Sequence, residues 1–213
     1  MPLKIKICGI TTLEDAQMAV EAGADAIGFM FYPASPRSIK PEAAARIARR
    51  LSPFLTKVGV FVDADDRDVR ELLAAGAIDA VQFHGGETPG FCRLFGRSAI
   101  KAFRINGADS LADLRRYDQE TWLLDSYVPG IPGGTGAVFN WDLAVTASSF
   151  GRPIILAGGL KPENVASAVR KVSPYGVDVS SGVESSPGKK DPLKVREFIR
   201  AAREGNLLLG DPN

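Results

Sequence analysis

Histidine occurs once in this sequence, at His84, and cysteine twice, at Cys8 and Cys92. A single imidazole excludes HExxH-type metal sites and any mechanism that needs a histidine pair. Two separated cysteines are too few for a secreted disulfide framework and lack the clustering of a structural zinc site, so each is read alone. Excess charge is missing as well. With 26 Lys and Arg against 25 Asp and Glu the formal net charge is +1, which leaves no footprint for nucleic acid or an anionic membrane. An anionic ligand must then be held by local geometry. No run approaches the roughly 20 apolar residues of a spanning helix, and Met1-Pro2-Leu3-Lys4-Ile5 lacks the apolar core and cleavage site of a signal peptide. The expectation is a cytoplasmic protein, monomer or homodimer, whose partner is a small molecule, with no metal and no cofactor.

What is present is an ordinary globular composition, 45% hydrophobic and 24% charged over 213 residues, the length of one large domain. Short apolar or β-branched runs recur at 3–7, 26–30, 58–62, 80–83, 99–103, 122–124, 153–157 and 177–180. Helical patterns alternate with them at 13–22, 41–51, 66–75, 89–95, 110–117, 141–147, 162–171 and 192–203. Several of these open on proline, and Gly23, Gly76 and Gly96 stand where a left-handed residue would stop a helix. An unbroken βα series implies a parallel sheet with helices outside, and eight units match a single (β/α)8 barrel over residues 1–213. Residues 205–213, with Leu207-Leu208-Leu209, read as a short C-terminal tail packed on the barrel or at a contact between copies.

A barrel presents its chemistry at the C-terminal ends of its strands and in the loops that follow. Alternation puts Lys4, Lys6 and Cys8 on one face of the first strand, toward the barrel axis. A buried lysine needs a partner, and Asp178 on the closing strand is predicted to pair with Lys6, for structural or catalytic ends. Cys8, followed by Gly9, looks into the mouth as either a small buried hydrophobe or a base. A thiol with a reference pKa of about 8.5 needs electropositive surroundings to act as a base, and Lys6 can supply them. Asp125 closes the sixth strand. A carboxyl at the edge of an apolar layer can be held protonated and donate a proton, though an Asx-turn is the alternative. Strands one and six face each other across the mouth, so a small substrate fits between the two groups.

Gly158-Gly159 after strand seven and Ser180-Ser181-Gly182 after strand eight are the loop pair at which barrels commonly bind phosphate through backbone N–H groups. The competing reading is two tight turns that use glycine for positive φ. Arg37, on a proline-stiffened loop, can hold a carboxylate by two parallel hydrogen bonds. His84 tops the fourth strand, either to orient a ligand or to cap the layer. Cys92 packs in a helix among Phe91, Leu94 and Phe95. The loop from Pro129 to Gly136 is flexible enough in composition to serve as a lid.

These residues form an ordered pattern: Lys6-Ile7-Cys8-Gly9-Ile10-Thr11, Ser35-Pro36-Arg37, Gln82-Phe83-His84-Gly85, Leu124-Asp125-Ser126, Gly133-Gly134-Thr135-Gly136, Ala157-Gly158-Gly159 and Asp178-Val179-Ser180-Ser181-Gly182. Spread over the whole chain, one motif to a βα unit, it resembles the phosphoribosylanthranilate isomerase family of tryptophan biosynthesis. The resemblance implies a barrel that performs a cofactor-free Amadori rearrangement of N-(5-phosphoribosyl)anthranilate to 1-(o-carboxyphenylamino)-1-deoxyribulose 5-phosphate. It implies Cys8 as general base, Asp125 as general acid and Arg37 as a contact to the anthranilate moiety. The backbone around Gly158, Gly159, Ser180, Ser181 and Gly182 is then the phosphate cradle. The nearest alternative is the histidine-pathway isomerase, which resembles this family in fold but has aspartates at the ends of strands one and five, where this chain has Cys8 and Phe103-Arg104. The alternative of another class is a non-catalytic barrel that binds a phosphorylated metabolite. It would show a decayed acid or base, and both groups are present.

Overall fold

Eight short, mostly buried runs pair in parallel with their chain neighbours, and the first closes on the last. The computed structural model describes residues 2–119, 121–126 and 140–207. Its strands are β1 (Lys4–Cys8), β2 (Ala26–Met30), β3 (Thr56–Phe61), β4 (Ala80–Phe83), β5 (Ala99–Ile105), β6 (Thr121–Ser126), β7 (Ile154–Leu156) and β8 (Gly176–Val179), in a closed barrel of that order. Parallel neighbours need crossover connections. The helices supply them: α1 (Leu13–Glu21), α2 (Pro41–Ala48), α3 (Asp66–Ala74), α4 (Pro89–Arg93), α5 (Ser110–Leu114), α6 (Trp141–Ser148) and α7 (Pro162–Val172), with α8 (Pro192–Leu207) after the last strand. The predicted (β/α)8 architecture is what the chain forms. Among the described residues, no helix is long and apolar enough to cross a membrane.

Strand alternation sorts the side chains into two cores. Ile5, Ile7, Phe29, Phe61, Val81 and Phe83 point outward into the layer beneath the helices, where the Phe83 ring meets Phe91 and Phe95 at centroid separations of 5.2 and 5.1 Å. Cys92 is fully buried in that layer, as packing. Ala102, Leu123, Ile155 and Ala157 point inward and fill the floor of the barrel. The same parity sends Lys6 and Cys8 inward, and the registers Lys6↔Asp178, Cys8↔Gly28 and Arg104↔Asp125 fix which groups stand beside one another.

The elements differ from the sequence expectation in a few places. The helical patterns at 89–95 and 110–117 give α4 and α5, of five residues each. After them the chain tightens into i→i−3 bonds, from Leu94 and Phe95 to Phe91 and Cys92, and from Arg116 and Tyr117 to Asp113 and Leu114. A two-stranded hairpin, β9 (Glu184–Ser186) with β10 (Lys189–Lys190), occupies a stretch that carries no strand signal. The expectation of a tail from residue 205 is corrected at its start, because α8 continues to Leu207. Gly205 is a packing glycine, since a Cβ there would come within 2.8 Å of the Ala166 carbonyl oxygen on α7. Leu207 is 72% exposed in the single chain, not packed on the barrel, which leaves the alternative of a contact between copies. Leu208 and Leu209, and the candidate lid from Pro129 to Gly136, lie outside the described residues.

Candidate active site

At the C-terminal mouth of the barrel a cavity of about 490 Å³ collects Cys8, Arg37, His84, Arg104, Asp125, Asp178 and Ser180, against an apolar wall of Met30, Val60 and Val62. A larger groove of about 850 Å³ lies on the outer surface between α2 and α3, but it contains none of these strand-end groups. Chemistry at a barrel mouth needs groups contributed by several strands, and the inner cavity has them.

On β1, Lys6 donates to Asp178 at 2.8 Å, with both side chains at most 10% exposed, so the predicted ion pair is present and buried. Burial opposes the Lys6 charge, but Asp178 and Cys8 outweigh it and hold the ammonium above its ordinary range. Burial also pushes the Cys8 thiol up. Lys6 and Lys190 pull it back, Asp178 opposes them, and the net direction stays upward. Room for the thiol comes from Gly28 on β2. A Cβ there would lie 2.7 Å from Cys8 Sγ and 3.2 Å from Lys6 Nζ.

On β6, Asp125 Oδ1 accepts from the Ser126 backbone N–H at 2.8 Å. Its Oδ2 stands 3.2 Å from His84 Nε2, at ion-pair distance but out of line for a hydrogen bond. The other His84 ring nitrogen, Nδ1, is 3.1 Å from Gln82 Nε2. The loop behind His84 is rigid for a local reason. Lys101 and Glu87 form a buried pair at 2.9 Å, Glu87 accepts from the Gly85 and Asp63 amides, and Asp63 accepts from the Gly86 amide at 2.7 Å. Asp63 thus serves the loop and does not enter the cavity.

Arg37 is placed at the cavity as expected, but one edge of its fork is already taken. Nε and Nη2 donate to Glu184 at 2.9 and 2.8 Å, and Lys190 Nζ donates to the same carboxylate at 2.8 Å. Burial works against the Glu184 charge, yet the Arg37 and Lys190 contacts hold its carboxyl below the usual range. Lys190 is held below its ordinary range because burial outweighs its pairing. The Nε and Nη2 edge of Arg37 is thus committed to Glu184, which leaves its remaining donors for an outside carboxylate.

The glycine turns lie side by side beneath Asp125. A small cleft is lined by Gly158, Gly159, Ser180, Ser181 and Gly182 together with Asp125 and Asp178. Gly158 and Gly159 have φ of +75° and +63°, and a Cβ on Gly158 would fall on the Ser126 amide nitrogen. A Cβ on Gly182 would collide with the Leu160 carbonyl, so glycine is what lets the two turns touch. The predicted site residues converge on two adjoining spaces, with Asp125, Asp178 and Ser180 common to both.

Four buried polar atoms facing the larger cavity have no hydrogen-bond partner among the described residues: Gln82 Oε1, His84 Nε2, Arg104 Nε and Ser180 Oγ. Buried polar atoms without partners are rare, and a cluster of them marks a surface made for a polar ligand. Among the described residues, no three His, Cys, Asp or Glu side chains converge as a metal site requires. Sequence reasoning missed Gly28, Glu184 and Lys190, which act through neighbours distant in the chain. It gave no role to Gln82 or Arg104, although both are polar residues at inward positions of strand ends.

A sequence model of the N-(5'-phosphoribosyl)anthranilate (PRA) isomerase family matches residues 5–201. The chain is 59% identical over 205 residues, 96% of its length, to the N-(5'-phosphoribosyl)anthranilate isomerase of Citrifermentans bemidjiense, covering 99% of that protein. The crystal structure of the phosphoribosylanthranilate isomerase of Thermotoga maritima superposes with a TM-score of 0.87 at 42% identity, covering 94% of this chain and 98% of the other. A phosphoribosylanthranilate isomerase crystallised with reduced 1-(o-carboxyphenylamino)-1-deoxyribulose 5-phosphate superposes with a TM-score of 0.84 at 41% identity, with the same coverage.

Proposed function

The chain belongs to the N-(5'-phosphoribosyl)anthranilate isomerase family, and from that premise we propose that it rearranges phosphoribosylanthranilate in tryptophan biosynthesis with Cys8 as general base and Asp125 as general acid. The observation that carries this reading is the cavity itself, where base and acid sit on β1 and β6 around a cluster of unpartnered polar atoms.

The substrate's phosphate is held at the β7 and β8 turns by backbone N–H groups and the Ser180 hydroxyl, which has no other partner among the described residues. This places the furanose ring between the two strand-end groups. Asp125 protonates the ring oxygen, the C1–O bond breaks, and the nitrogen lone pair completes a C1=N iminium. The Cys8 thiolate then removes the C2 proton, the electron pair of that C–H bond forms the C1=C2 bond of an enamine, and the C1=N π pair returns to the nitrogen. In the final tautomerisation the C2 hydroxyl loses a proton and C1 gains one, which leaves a ketone at C2 and an amine on a CH₂ at C1. The anthranilate ring packs against Met30, Val60 and Val62. Arg37, braced by Glu184, borders that end. His84 faces the outer oxygen of the acid at 3.2 Å.

Fluorescence decay of phosphoribosylanthranilate tests the assignment. Acid–base groups of this kind contribute about 10²- to 10⁴-fold each, so Cys8→Ala and Asp125→Asn should each lower kcat by that order with a melting temperature close to the parent's. Near-parental turnover in either variant refutes its role. Binding of substrate with no fluorescence loss in the unaltered protein would instead favour a non-catalytic barrel.

A further inference from the structure

In a neutral histidine one ring nitrogen donates and the other accepts, so a single hydrogen bond decides where the proton sits. His84 is the only histidine of the chain, and its ring stands between two inward side chains at the mouth. On one side Gln82 Nε2, an amide nitrogen that can only donate, lies 3.1 Å from Nδ1. Nδ1 is then the acceptor, and the ring proton is on Nε2. On the other side Nε2 is buried, without a hydrogen-bond partner among the described residues, and 3.2 Å from Asp125 Oδ2. The backbone beneath the ring is pinned: Arg104 Nη2 donates to the His84 carbonyl at 3.2 Å, and Lys101 Nζ donates to the Phe83 and Gly85 carbonyls at 3.3 and 2.7 Å. Asp125 Oδ1 already accepts from the Ser126 amide at 2.8 Å, which leaves Oδ2 as the oxygen that carries the proton. Catalytic hydrogen bonds commonly straighten only when substrate is bound, and Nε2 and Oδ2 are close enough for a small rotation to align them.

We propose that Gln82 is a positioning residue: by donating to Nδ1 it holds the neutral His84 ring in its Nε2–H tautomer and so aims a donor, not an acceptor, at the general acid. This rests on the isomerase reading and deepens it. With a lone pair on Nε2, the ring would accept the Asp125 proton and compete for it with the furanose oxygen of the substrate. With Nε2–H in place, the Oδ2 proton is left for the substrate. The charge that remains on Asp125 is then met by two N–H groups, Ser126 on Oδ1 and His84 on Oδ2. His84 itself neither gains nor loses a proton. A hydrogen bond to a charged group is worth about 10- to 100-fold. This one forms in full only as Asp125 ionises, so its loss falls on kcat rather than on KM.

Because the chain has a single histidine, labelling with ¹⁵N-histidine gives a nitrogen–proton correlation spectrum that reports this ring alone. Spectra are recorded at a pH of about 8, above the ordinary histidine range, for the unaltered protein and Gln82→Met, with thermal melts and fluorescence-decay kinetics alongside. The unaltered protein should show Nδ1 bare and Nε2 protonated. Gln82→Met should show both tautomers, with kcat lowered about tenfold or more and KM within about twofold of the parent's. A second background removes the tautomer altogether. In His84→Gln an amide N–H takes the place of Nε2–H and needs no neighbour to set it, so adding Gln82→Met there should cost less than about threefold in kcat. A ring protonated on Nδ1 in the unaltered protein, an unchanged kcat in Gln82→Met, or an equal loss in both backgrounds overturns the proposal. The spectrum needs no turnover. An unaltered protein with the Nε2–H ring that leaves phosphoribosylanthranilate unchanged therefore defeats the isomerase reading and the role of Gln82 in it, whereas full turnover with the other tautomer defeats only the role of Gln82.

Discussion

Replacing Lys6 by methionine separates two roles of one buried charge. The lysine is paired with Asp178 at 2.8 Å inside the barrel and also borders the space that Gly28 leaves for the Cys8 sulfur. Removing one partner of a buried pair typically costs about 3–5 kcal/mol, because the other charge is left uncompensated. For a chain of this size each kcal/mol moves Tm by about 2–4 °C, so Lys6→Met should melt about 6–20 °C lower. Because the Lys6 ammonium is held above its ordinary range in the folded protein, its stabilisation is complete at neutral pH. It is lost only as pH rises through that raised value. The loss in Tm should therefore be nearly constant between about pH 6 and 9.

The chemical effect has a definite sign. Burial already raises the Cys8 thiol, and Lys6 is the largest influence pulling it back. Without it the thiol rises further. A unit charge at contact distance, screened by an effective dielectric near 20, is worth a few kcal/mol. Lys190 remains to compensate in part, so the thiolate fraction at neutral pH should fall about 10- to 100-fold. The acid limb of the kcat/KM profile should move to higher pH, and alkylation of Cys8 by iodoacetamide should slow in parallel. The double variant Lys6→Met/Asp178→Leu restores an apolar, uncharged floor and should regain most of the lost Tm. Its Cys8 should stay less reactive than the parent's, because Lys6 affects the thiol more strongly than Asp178 does. A parental pH profile in Lys6→Met, or full recovery of turnover in the double variant, would refute the argument that Lys6 tunes the base.

Two further perturbations probe the glycines that frame the site. Gly28→Ala brings a methyl within 2.7 Å of the Cys8 sulfur; overpacking of this kind costs about 1–3 kcal/mol, and the displaced base should lower kcat at least about tenfold with little change in KM. An equal kcat would show that the thiol has slack. Gly159→Leu places a side chain at φ +63° in the cleft beside Ser180 and Ser181, and it should raise KM and weaken inhibition by inorganic phosphate; an unaltered KM would mean that the glycines serve only the turn.

The parts of this molecule that can be read from the sequence are those set by local periodicity. Alternation in Lys4 to Cys8 assigns Lys6 and Cys8 to the barrel axis, and one further step, closing strand eight on strand one, pairs Lys6 with Asp178. The strand ends follow in the same way, so Cys8, His84 and Asp125 are found before any fold is built. What is not legible is the partner of each group when that partner lies far along the chain. Arg37 and Glu184 are 147 residues apart, and no local signal says that a proline-stiffened arginine will find a carboxylate of its own on an unexpected hairpin. That contact alters the chemistry, because it commits the Nε and Nη2 donors of Arg37 inside the protein and fixes the plane of its guanidinium. The same reasoning reconciles a chain of net charge +1 with a doubly anionic substrate. On the proposed reading the phosphate is met by backbone N–H groups and the Ser180 hydroxyl at the β7 and β8 turns, so affinity should depend on the geometry of those turns far more than on the protein's overall charge.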